Sequence, residues 1–93
     1  MSKRTFQSTT KVVYPDGGPA YDKIDVFSIP DDEFPCDTWP ALTPDEQYDF
    51  LNNSGYWIKG WHEITPEQDA WIDDHQSAQG AQTETCVMMQ EVN

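Results

Sequence analysis

The sequence predicts an α+β fold: a small antiparallel sheet of about four strands and two short helices, in the order ββαβαβ. Three observations lead there. Two β-branched and aromatic segments near the N-terminus flank a cluster of turn formers, two Thr-Pro capping signatures each open a short polar helix, and an aromatic segment lies between those helices. The 93 residues suffice for one core but not two, so residues 1–93 are expected to form a single domain.

The first two strands are expected over Thr5 to Tyr14 and Tyr21 to Ile29, joined by Pro15, Asp16, Gly17, Gly18 and Pro19 as a hairpin with a five- or six-residue loop. In the second strand Ile24 and Val26 share one face and Phe27 and Ile29 the other, so periodicity leaves the buried side open. Pro30 to Pro40 holds three prolines and four carboxylates with Phe34 and Trp39 as anchors, which predicts an ordered loop lying on the core.

Thr43 is placed as an N-cap, with Pro44 at the first helical position and Glu46 able to reach back to the cap. The helix should end near Asn53, where Gly55 can adopt the left-handed conformation that closes it. Tyr56 to Trp61 reads as a third strand, in which Gly60 marks a bulge or the strand's end. Thr65, Pro66 and Gln68 repeat the capping pattern and start a helix running to about Gln76 or Ser77. The two signatures are better explained by the physics of a good cap than by an internal repeat. Ser77 to Thr83 has linker composition, and Thr85 to Met89 is a possible last strand.

Seventeen Asp and Glu against five Lys and Arg give a formal charge of −12. The imbalance is not uniform along the chain. Up to Lys23 the charge is +2, whereas Ile24 to Asn93 carries fifteen carboxylates and one cation, Lys59, for −14. Such a field favours solubility and disfavours nucleic acid and anionic membranes as direct partners, so a basic partner is the natural complement. The chain is also 37% hydrophobic and 13% aromatic, richer in large apolar side chains than acidic disordered tails, so it should fold.

On the first helix Asp45, Glu46 and Asp49 share an arc opposite Tyr48, Phe50 and Leu51. On the second, Trp71 and Ile72 with His75 define the inner side, while Glu67, Asp69, Asp73 and Asp74 fall on the flanks and back. Asp31, Asp32, Glu33 and Asp37 extend the same surface through the loop. These eleven residues are the expected partner-binding set. Asp45/Asp49 and Asp69/Asp73 are like-charge pairs four apart with no intervening Lys, which stability alone would not select. Rows of carboxylates imitate the phosphate field of a nucleic acid, with which Lys and Arg of a partner form charge-assisted pairs.

The expected function is therefore a non-enzymatic inhibitor of the phage or mobile-element type. It would mimic nucleic-acid charge and block a basic nucleic-acid-binding protein such as a nuclease or a restriction, interference or transcription component. The alternative is a protein–protein adaptor that uses an exposed aromatic patch, with the charge serving only solubility. Tyr56, Trp57 and Trp61 would supply that patch, although core packing is the plainer expectation for them.

No catalytic signature is present: no G-x-S-x-G, no phosphate-binding glycine loop and no H-E-x-x-H. Cys36, His62, His75 and Cys86 are zinc-ligand types, but every gap between them is ten residues or more, so no metal or cofactor is expected. The two cysteines read as small buried hydrophobes with free thiols. The polar start Met1, Ser2, Lys3, Arg4 and the lack of a membrane-length apolar run predict a cytoplasmic protein, in the host cell's cytoplasm if phage-encoded.

Overall fold

A computed structural model describes residues 2–15, 17–76 and 80–92. It shows one four-stranded antiparallel sheet of order β3-β2-β1-β4, with β1 Lys3–Val13, β2 Ala20–Pro30, β3 Trp57–Glu63 and β4 Thr83–Val92. Helix α1 spans Pro44–Asn53 and α2 spans Pro66–Asp74, so the order is ββαβαβ, as the sequence predicts. Asp16 and the stretch from Ser77 to Gln79 lie outside the described residues, so the centre of the expected hairpin loop and the start of the expected linker do too.

Both helices start where their capping signatures place them. Thr43 accepts from the Glu46 backbone N–H while the Glu46 carboxylate accepts from the Thr43 N–H at 2.9 Å, and Thr65 and Gln68 repeat the exchange. Gly55 closes α1 with φ +79°. Helix α2 stops at Asp74, short of the expected end, because His75 leaves helical geometry and stacks on Trp71 with ring centroids 4.0 Å apart. The expected loop over Pro30 to Pro40 does lie on the core, and it contains two single-turn 3₁₀ helices, Asp31–Glu33 and Trp39–Ala41.

The register settles which side of β2 is buried. Phe27 and Ile29 are fully buried on the side that α1 covers, forming the core with Phe6 and Leu51. Phe34, Trp39, Tyr48 and Phe50 pack around that core, and Gln47 ties α1 to the loop by donating to the Trp39 carbonyl at 3.0 Å. Near the β1–β2 turn, a second aromatic cluster joins Tyr14, Tyr21, His62 and Trp71. Among the described residues no helix covers the opposite face of the sheet, where Trp61 and Met88 stand exposed in register with Ile24 and Thr9.

Both edge strands carry a β-bulge. Val26 pairs with Lys59 and Phe27 with Trp57, leaving Ile58 as the extra residue of β3; Thr9 pairs with Met88 and Thr10 with Cys86, leaving Val87 as the extra residue of β4. Gly60 is therefore not the bulge that its position suggested. It is paired with Asp25 inside β3, and a Cβ there would collide with the Asp25 carboxylate and come within 3.0 Å of the Ile24 carbonyl oxygen.

Candidate functional site: an acidic helical face

Both helices and the 3₁₀ segment pack on one side of the sheet. Strand alternation sends Phe6, Ser8, Thr10 and Val12 toward them, together with Phe27, Asp25, Lys23 and Tyr21 across the β1–β2 pair. The 3₁₀ turn continues β2 at one end of the sheet, where the Asp31 N–H donates to the Ser2 carbonyl. At the other end Gln68 of α2 donates to the Ala20 carbonyl at 2.9 Å. Helix α1 lies between them, so the acidic elements follow one another along a molecule 47 Å long. That length matches roughly fourteen phosphates of one DNA strand.

All eleven predicted carboxylates, Asp31, Asp32, Glu33, Asp37, Asp45, Glu46, Asp49, Glu67, Asp69, Asp73 and Asp74, are exposed. Three of them also hold the fold together. Glu46 belongs to the capping box, Asp45 accepts from the Cys86 backbone N–H at 3.1 Å and so pins α1 to β4, and Asp31 pairs with Arg4 at 3.5 Å. Asp73 and Asp74 occupy the last turn of α2, which contains no basic residue, so they oppose the helix dipole.

Charge also separates by sheet face. The open face carries Lys3, Lys11 and Lys59 against Asp22 and Glu63. The remaining strand carboxylates, Asp25, Glu84 and Glu91, point to the helical side, where Arg4 and Lys23 are each bound in ion pairs. One side is thus strongly acidic and the other has a slight positive excess.

Between the two aromatic clusters the helical side is polar. Ser8 and Thr10 are buried in β1, and neither hydroxyl has an oxygen or nitrogen partner. Asp25 is 2% exposed; its Oδ1 accepts from Trp57 Nε1 at 2.9 Å, and its Oδ2 has no partner. Beside them α1 and β4 enclose a cleft of about 240 Å³ lined by Thr10, Asp45, Tyr48, Asp49, Glu84 and Cys86. Lys23 lies nearby, its ammonium 3.5 Å from Glu84. Burial pulls the Lys23 ammonium down, but Tyr48, Asp25 and Glu84 together carry it above its ordinary value. Burial and the Asp25 charge likewise raise the Tyr48 hydroxyl.

Thr10, Asp25 and Glu84 were missing from the residues singled out by sequence, and Cys86 was read only as a small buried hydrophobe. A signal for the first existed, because Ser8 and Thr10 interrupt the row that Phe6 and Val12 otherwise make apolar.

Three expectations are corrected. Trp57 and Trp61 are not core: they are 50% and 43% exposed because β3 is an edge strand that no helix overlies. They do not form one patch either, since Trp57 pairs with Phe27 on the helical side and Trp61 with Ile24 on the open side. Cys36 is exposed between the 3₁₀ turns, whereas Cys86 is buried; both thiols are free. Third, His75 is exposed at the end of α2 instead of sitting within its inner side.

Among the described residues no group of three His, Cys, Asp or Glu side chains is arranged to hold a metal, and no helix is long and apolar enough to cross a membrane. No family model, curated protein or solved structure matches the chain.

Proposed function

We propose that this protein is a non-enzymatic inhibitor or regulator that presents its acidic helical face to a basic, nucleic-acid-binding protein and occupies the surface meant for phosphate. The observation that carries this reading is the division of charge by sheet face: the open face has a slight positive excess, and the helices and the 3₁₀ segment, which bear the eleven predicted carboxylates, lie on the other side. A carboxylate coat serving only solubility has no reason to leave one face with a net positive excess. It also has no reason to place Asp73 and Asp74 against the α2 dipole, where they cost stability.

Capture of binding partners at low salt, followed by elution with duplex DNA or RNA, tests the proposal. The expected result is a nucleic-acid-binding protein displaced by competitor, with affinity that falls steeply as salt is added. Lysine substitutions at Asp49, Asp69, Asp73 and Asp74 should abolish capture. Unlike Asp45, whose carboxylate anchors β4, these four make no side-chain hydrogen bond or ion pair among the described residues, so their loss should leave the fold intact. Binding that ignores both salt and charge reversal refutes the mimic.

The exposed tryptophans favour a second reading, an adaptor surface on the open face built on Trp61 and Met88. Trp61→Ala distinguishes the two: an adaptor loses its partner, and a mimic keeps it.

A further inference from the structure

We propose that the open face of the sheet is the contact surface between two copies of this chain, packed sheet on sheet about a two-fold axis that crosses the strands at Trp61. This contact is independent of the acidic helical face, and it gives a definite occupant to the surface that an adaptor would offer to another protein.

The centre of the open face is an apolar row. Trp61, Ile24, Thr9 and Met88 stand in register across β3, β2, β1 and β4, with Ile24 buried and Trp61 and Met88 exposed at the edges. Val26 adjoins the row on the same side of β2. Strands of these lengths, about 4.8 Å apart and rising about 3.3 Å per residue, give the face an area of roughly 600 Å². Two such faces in contact withdraw about 1,200 Å² from water, the lower end of the range for stable interfaces.

Charge selects a second copy as the occupant. The chain carries −12 overall and the open face contributes +1, so the rest of the molecule carries −13. Two copies therefore repel most through their helical sides and least through this face. Its charges are also self-complementary. Lys59 and Glu63 lie two residues to either side of Trp61 on the same face of β3, and neither side chain has an ion pair or hydrogen bond among the described residues. A two-fold axis along the Trp61 row reverses the strand direction but keeps β3 over β3, so Lys59 of each copy faces Glu63 of the other. Sheets in aligned packing lie about 10 Å apart, a gap that a lysine and a glutamate span end to end.

The same arrangement resolves an unfavourable contact within the single chain. Glu63 stands in register with Asp22, a like-charge cross-strand pair that costs stability. Lys11 flanks Asp22 from β1, but Glu63, on the edge strand, has no cation in register with it. Lys59 of the second copy supplies one. It is the single cation among the fifteen carboxylates that follow Lys23, and it falls where the two-fold contact needs it.

The test is sedimentation equilibrium of the full chain at about 150 mM salt, which screens the repulsion between the acidic sides. A reversible dimer of the 10.7 kDa chain is expected between micromolar and millimolar concentration. Trp61→Ala should abolish it while the far-UV circular dichroism stays that of the parent, because the ring is 43% exposed and contributes little to the monomer's core. Lys59→Glu and Glu63→Lys each convert two attractive contacts into repulsive ones, so either should weaken self-association by about tenfold or more. Mixing the two variants should restore it, since a Lys59→Glu chain complements a Glu63→Lys chain at both contacts. Asp69→Asn on α2 should change nothing.

A chain that stays monomeric throughout, or a dimer indifferent to Trp61→Ala, would overturn the proposal. Charge variants that keep the dimer, or that fail to regain it on mixing, would overturn the two-fold placement. A monomer that captures a different protein through Trp61 would assign the face to an adaptor instead. Capture of a basic partner by the helical face does not depend on Trp61, so the dimer and the mimic fail separately.

Discussion

Gly60→Ala should be among the most damaging single-methyl additions this protein can receive. A Cβ at position 60 would overlap Asp25 Oδ1 and sit 3.0 Å from the Ile24 carbonyl oxygen. A carboxylate tip would normally swing aside at little cost. Here it cannot, because Asp25 is 2% exposed and that same oxygen accepts from Trp57 Nε1. Displacing it breaks a hydrogen bond to a charged group, about 1.5–3 kcal/mol, and adds overpacking strain of about 1 kcal/mol. The expected total is about 3 kcal/mol, a large share of the 5–15 kcal/mol typical of a domain. Urea unfolding followed by far-UV circular dichroism measures it. Trp57→Phe completes a double-mutant cycle: if the glycine acts through the Asp25–Trp57 bond, the double variant should cost far less than the sum of the two singles. A Gly60→Ala cost below about 0.5 kcal/mol, or strict additivity with Trp57→Phe, would refute the reasoning.

Asp73→Asn with Asp74→Asn should stabilise the protein by about 1 kcal/mol at low ionic strength, by relieving the α2 dipole and the Asp69/Asp73 repulsion, and the gain should fade in high salt while partner capture weakens. Cys36 should react quickly with a thiol reagent at neutral pH, whereas burial pushes the Cys86 thiol up and should keep it protonated and unreactive until unfolding; Cys36→Ser should abolish the fast phase. Burial, reinforced by Tyr14, pushes the Tyr21 hydroxyl up to about 12 from its ordinary 10.0. The folded state holds that proton more tightly, so the associated stability is present below pH 10 and is lost as pH rises toward 12; in Tyr21→Phe this part of the alkaline decline should be missing from urea unfolding measured against pH.

Local chemistry was legible in the sequence, and tertiary placement was not. Thr43 with Glu46 and Thr65 with Gln68 could be read because each capping box closes within four residues and needs nothing from the rest of the chain. The buried side of β2 could not, since it carries large apolar residues on both faces and only α1 decides between them. Asp25 stayed hidden for the same reason: it lies between Ile24 and Val26, and its partner Trp57 is thirty-two residues away. Trp57 and Trp61 looked like core because aromatic side chains usually are, but composition does not reveal which strand will be an edge. The outward direction of the helical carboxylates was visible from the helical period. Their gathering on one side of the sheet, and the cleft completed by Thr10 and Glu84, required the strand order.

The two bulges work against strand addition between copies of this molecule. A four-stranded sheet with free edges, bearing Trp57, Ile58, Val87 and Met88 exposed on its outer strands, has the makings of a fibril seed. An incoming strand laid along β3 or β4 would lose register at Ile58 or Val87, and beside Ile58 it would also meet Lys59. Polymerisation by strand addition is therefore interrupted within one strand length at either edge. With both edges interrupted, the surfaces left open to contact are the faces, which present side chains and not backbone amides.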